Sequence, residues 1–115
     1  MLSLSTPAEQ ARGVDNKLYT SGSPGIGVAA AEWLIKQDPM LLGSDNAPVE
    51  VAPNPDKAVS LPVHNIALTV NGVHLLENLV LEDLAKARAY EFAFIMQPLK
   101  LQGANGSTVA PTAIR

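Results

Sequence analysis

The sequence predicts a mixed α/β domain, and two stretches carry the prediction. Across residues 60–80 the apolar period changes from helical to extended, and Asn71-Gly72 marks the change. Further on, Tyr90 to Met96 reads as a strand with apolar residues on both faces, the pattern of a central strand covered on both sides. Helical and extended segments alternate elsewhere, which gives an α/β class, a mixed sheet with covering helices.

The bounds are simple. The chain has 115 residues, enough for one domain with its own core. Its apolar fraction is 47%, and with few aromatics (Tyr19, Trp33, Tyr90, Phe92 and Phe94) that core has to be aliphatic. The formal net charge is −3 and there is no basic run, so nucleic acid is not an expected partner. No apolar stretch is long enough to span a bilayer. Residues 1–6 lack the basic start and apolar segment of a secretory signal. The chain contains no cysteine, so disulfides, Cys-based zinc sites and thiol nucleophiles are excluded. A cytoplasmic location follows as the default expectation.

In chain order, residues 1–21 read as a flexible N-terminal arm, with one helical turn around Pro7–Arg12. Residues 22–115 read as a single domain. Ser23 is placed to cap a helix and Pro24 to open it; Ile26, Ala30, Trp33 and Leu34 then recur at helical spacing. Asp38-Pro39 stops that helix, because a residue before proline is pushed out of the helical region. Gly22, Gly25 and Gly27 do not make a phosphate loop: no strand leads into them and the lysine of a Walker loop is missing. Met40-Leu41-Leu42 reads as a buried strand ending at Gly43-Ser44-Asp45-Asn46, and Val49-Glu50-Val51 as a short extended segment.

The central stretch follows. Pro62 suits a first helical turn, where its missing N–H would have no partner anyway. Val63, Ile66, Ala67 and Val70 fall on one face, and His64 on another. Asn71-Gly72 tolerates the left-handed conformation that ends a helix, and Val73 to Leu76 is extended, ending at Glu77-Asn78. A helix followed by a returning strand can bring His64 and Glu77 together, a pairing suited to a divalent metal or a proton-transfer site. On spacing alone, the ordinary reading of both residues is structural. A helix near Leu81–Arg88 follows, with a Glu82–Lys86 pair at i,i+4. Leu99-Lys100-Leu101 alternates like a strand, Asn105-Gly106 reads as a tight turn, and Thr108-Val109 as its returning edge.

Taken in order, these motifs resemble the C-terminal part of the cyclase family of metal-dependent hydrolases, which includes kynurenine formamidase and isatin hydrolase. The resemblance covers about Asp15 to Arg115. It rests on Pro24-Gly25-Ile26-Gly27, Gly43-Ser44-Asp45-Asn46, Val49-Glu50-Val51, Leu61-Pro62-Val63-His64, Leu75-Leu76-Glu77-Asn78-Leu79, Tyr90-Glu91-Phe92, Pro98-Leu99-Lys100-Leu101 and Val109-Ala110-Pro111. It implies a swivelling β/β/α fold, of which this chain is the C-terminal half, and hydrolysis of an amide-type C–N bond with a metal-activated water. It also implies that His64 and Glu77 are the downstream metal ligands, for zinc or manganese, and that Asp45 orients its loop in preference to acting in catalysis. His74 matches no family role and reads as a packed or surface residue. The family's main metal motif, H-x-G-T-H-x-D, has no counterpart here, since the chain's histidines are His64 and His74.

Two expectations follow. One is a truncated or split hydrolase, inactive alone, with a weak, partial metal site and a partner chain carrying the missing half. The other is a non-catalytic binding or assembly protein built on the retained scaffold. In either case, apolar surfaces around Leu41, Leu42, Ile66, Leu75, Phe92, Phe94 and Ile95 are expected to drive homo-oligomer formation.

Overall fold

The computed structural model describes residues 14–115. The expected helical turn around Pro7–Arg12 lies outside the described residues. The elements are helices α1 (Asn16–Tyr19) and α2 (Val28–Ile35), strand β1 (Leu41–Gly43), helix α3 (Pro62–His64) continuing into a π-helix (Asn65–Val70), strand β2 (His74–Leu76), helix α4 (Glu82–Lys86), and strands β3 (Ala93–Ile95) and β4 (Thr112–Ile114). This is a mixed α/β arrangement of small sheets and short helices. The segment read as an arm contains α1, capped by the Asp15 side chain on the Leu18 N–H. Where the sequence suggests one domain over residues 22–115, the contacts fall into two compact units, one ending at Val80 and the other Leu81–Arg115.

In the first unit β1 and β2 pair in parallel, with Leu41 opposite His74 and Gly43 opposite Leu76. A parallel pair needs a long crossover, and that crossover carries the loop 44–56, α3 and the π-helix. The core consists of Ile26, Ala31, Val49 and Val63, with Leu34, Leu42 and Leu75 packed against it. Val63 is fully buried, a burial that contributes about 1.5–3 kcal/mol.

The helix expected to start at Ser23-Pro24 starts at Val28, with Gly27 as its cap. Tertiary pairing overrides the local capping signal. The Ser23 N–H donates to the Ala52 carbonyl (2.8 Å) and the Ile26 N–H to that of Val49 (3.2 Å), so residues 23–26 are tied to residues 49–52 as isolated β-bridges. Ala31 and Leu34 face the core while Trp33 is exposed, against the expected face of Ile26, Ala30, Trp33 and Leu34. Gly25 permits this close approach. A Cβ at residue 25 would lie 2.3 Å from the Glu50 carbonyl carbon and 2.4 Å from the Val49 oxygen. The Asp38-Pro39 stop is as expected, with Asp38 in the left-handed region (φ 54°).

Pro62 opens α3 as expected, and Gly72 (φ +66°) ends the helical stretch. The face differs beyond His64. Val63 and Ala67 are buried, but Val70 is exposed. The segment winds as a π-helix, whose wider turn carries residue 70 away from the stripe that an α-helix would present.

The second unit departs further. The run read as a buried central strand forms β3, paired among the described residues with β4 alone, antiparallel, and Ala93, Phe94 and Ile95 are all exposed. A unit this short has little with which to cover two sheet faces. Phe92 and Phe94 pack edge to face at 6.3 Å. Leu99–Leu101 is not a strand. The left-handed turn residue is Gly103 (φ +77°), and the returning strand starts at Thr112, after Pro111. The ion pair on α4 joins Lys86 to Asp83 (3.6 Å), not to Glu82, and both partners are exposed.

Candidate functional site

The site lies wholly in the first unit and is built from three elements. The extended segment after the Asn46 loop supplies Glu50, α3 supplies His64, and the end of β2 supplies Glu77.

Glu50 is fully buried. Such a carboxylate is tolerated only when hydrogen bonds replace its water. Its Oε2 accepts from the Val63 N–H (3.0 Å) and its Oε1 from the His64 N–H (2.9 Å), two of the donors that the start of a helix leaves without intrahelical partners. The same Oε1 lies 2.5 Å from His64 Nδ1. The other face of the imidazole looks toward Glu77, with Nε2 at 3.4 Å from Oε1. Glu77 Oε1 is in turn held by the Val49 N–H at 2.9 Å. The His64 and Glu77 side chains keep 26% and 28% of their surface accessible, so the edge between them opens to solvent.

Backbone pairing beyond the strands places Glu77. The Ser44 N–H donates to the Leu76 carbonyl, the Leu79 N–H to that of Ser44 (both 3.0 Å), and the Asn78 N–H to that of Asn46 (3.1 Å). Asn46 is buried; its side-chain amide donates to Ser23 Oγ (2.8 Å) and to the Pro24 carbonyl. Asn46 thus joins the loop after β1 to residues 23–24, whose own segment pairs with residues 49–52. Two non-glycine residues in the left-handed region flank the site, Leu61 (φ 50°) just before α3 and Asn78 (φ 59°) just after Glu77. Each such residue costs roughly 1–2 kcal/mol, and strain of this kind clusters at functional sites.

The structure therefore brings together His64 and Glu77, the two residues that the sequence puts forward as a pair. Asp45 sits in the loop after β1 with its Oδ1 buried. His74 is exposed on β2. Glu50 is not among the residues that the sequence puts forward for the site, nor are Asn46 and Gly25 as its supports. The available signal for Glu50 was a single carboxylate between two valines in an extended segment, which has to be either exposed or bonded.

The electrostatics are lopsided. Two carboxylates flank one imidazole, and among the described residues no lysine or arginine forms an ion pair with either. With Nδ1 donating to Glu50, a neutral ring turns its Nε2 lone pair toward the Glu77 oxygen. Two acceptors facing each other need a proton or a cation between them. The 3.4 Å separation is long for an N–H···O hydrogen bond. It matches the edge of a tetrahedral zinc site, where two ligands at about 2.0–2.1 Å from the ion lie about 3.3 Å apart. The pair thus fits one edge of a metal site. Among the described residues no group of three or more His, Cys, Asp or Glu side chains could hold a metal ion, so they do not complete a coordination sphere.

Compared with protein-family models, curated proteins and solved structures, the chain finds no match.

Proposed function

We propose that this chain carries half of the metal site of an amide-hydrolysing enzyme of the cyclase type, on the C-terminal part of a swivelling β/β/α fold. His64 and Glu77 are its two ligands, and the remaining ligands come from a partner chain. The observation that carries this reading is the His64–Glu77 edge, with its spacing, its solvent opening and its excess negative charge. A zinc or manganese ion held there would supply Lewis acidity toward an amide carbonyl. This chain's own residues present two donors and fix their spacing through the Val49 N–H and the Glu50 side chain. The isolated chain is inactive, since two ligands do not define a coordination sphere.

Zinc titration of the purified chain, followed by NMR, tests the reading. Weak, saturable shifts of the His64 ring are expected, with exposed His74 as an internal reference, and they weaken sharply in Glu77→Ala. An unperturbed His64 at millimolar zinc refutes the metal reading. Turnover of N-formylkynurenine or isatin by the chain alone would refute the claim that it is incomplete.

A second reading, a non-catalytic assembly module, is favoured by the apolar surface of the second unit, where Phe94, Ile95 and Ile114 are exposed on an unextended two-stranded sheet. On this reading the chain forms a homo-oligomer by packing or pairing these strands. Light scattering at the monomer mass of 12.1 kDa, without binding of a hydrophobic dye, would rule it out.

A further inference from the structure

The two donors of the site are held by one dipeptide. The Val49 N–H binds the Glu77 carboxylate at 2.9 Å, and the side chain of the next residue, Glu50, binds the His64 ring at 2.5 Å. We propose that Glu50 is the positioning residue of this site: it holds His64 in the Nδ1–H tautomer and so directs the Nε2 lone pair toward the open edge beside Glu77.

A buried carboxylate has only acceptors to offer. Its Oε1 is already set in place by the His64 backbone N–H at 2.9 Å, and its Oε2 by the Val63 N–H at 3.0 Å. Neither oxygen can turn away without leaving a helix-start donor without its acceptor. The ring nitrogen within 2.5 Å of Oε1 therefore has to be the one that bears hydrogen. In a neutral imidazole the other nitrogen is then the acceptor. Free histidine prefers the opposite tautomer, so the protein imposes this one. A structural cap would have needed only the two backbone donors. The third bond, to the ring, sets which nitrogen faces Glu77, and a carboxylate on the far nitrogen of a ligating histidine is the usual way of orienting such a ligand.

This inference deepens the proposed metal half-site, but its first test needs no metal. Nitrogen-15 spectra of the metal-free chain, in buffer alkaline enough for a neutral ring, report the tautomer directly. The expected pattern for His64 is a protonated Nδ1 and an unprotonated Nε2, while exposed His74 shows the common Nε2–H form. A His64 ring found mainly as Nε2–H overturns the proposal. The second test uses Glu50→Gln, which keeps the shape and one acceptor; its amide N–H₂ at the Oε1 position opposes the His64 backbone N–H and donates to Nδ1, which makes Nδ1 the acceptor. It should shift His64 toward the Nε2–H form and weaken zinc binding about 10- to 100-fold. Should the variant fail to fold, the wild-type spectrum alone decides. Nδ1–H in the wild type without any zinc response leaves the positioning role standing and removes the metal reading. A folded Glu50→Gln chain whose His64 tautomer and zinc affinity are unchanged overturns the positioning role.

Discussion

Replacing Gly25 with alanine tests how the site is assembled, because the bonds that hold His64 and Glu77 come from Val49 and Glu50 and not from Gly25. The new Cβ would lie 2.3 Å from the Glu50 carbonyl carbon, 2.4 Å from the Val49 oxygen and 2.7 Å from the Glu50 Cα. All three are backbone atoms and cannot rotate aside. Ordinary contact begins at 3.4 Å, so the two segments must part by 3.4 − 2.3 = 1.1 Å. The bonds joining them, Ile26 N–H to Val49 O (3.2 Å) and Val51 N–H to Ile26 O (3.3 Å), are already long and would be lost. Two net hydrogen bonds at about 1 kcal/mol each, with an overpacking cost of about 1–3 kcal/mol, give a destabilisation of about 3–5 kcal/mol. That is a large share of the total stability of roughly 5–15 kcal/mol that a domain has. Urea unfolding followed by circular dichroism should show a sharply lowered midpoint. In whatever fraction remains folded, the His64 ring signals should move, since Val49 and Glu50 shift with the displaced segment. A loss below about 0.5 kcal/mol, within the range of neutral surface changes, with His64 signals unmoved, would refute the claim that this close approach builds the site.

The remaining predictions concern single positions. Glu50→Ala removes the acceptor of two backbone N–H groups and of the ring; at about 1–3 kcal/mol for each backbone donor left unsatisfied, denaturant unfolding should show a loss of about 2–6 kcal/mol, and an isostable variant would mean that the helix start finds other acceptors. Gly72→Ala forces a side chain into φ +66° and should cost about 1–2 kcal/mol by the same measurement. Lys86→Ala removes an exposed i,i+3 pair and should change stability by less than about 0.5 kcal/mol, a bound that thermal unfolding checks.

Much of the local structure was legible in the sequence because it depends on near neighbours. Pro62 opened its helix, Asp38-Pro39 closed another, Gly72 took the left-handed turn, and the extended runs read at 40–42 and 73–76 became strands at 41–43 and 74–76. The alternation of periods fixed the mixed α/β class, and the order of His64 and Glu77 around a helix and a returning strand marked them as a pair that could meet. Tertiary structure alone decided what no local pattern encodes. Pairing of residues 23–26 with 49–52 overruled the Ser23-Pro24 helix start. The absence of a further strand beside β3, among the described residues, left an apolar run exposed that reads as buried. The π-winding after His64 turned Val70 outward. Above all, Glu50 became the anchor of the site only because a bend in the chain set Gly25 against its backbone and the start of α3 against its carboxylate. A buried charge is identified by the donors that surround it, and here those donors come from residues 13 and 14 positions away.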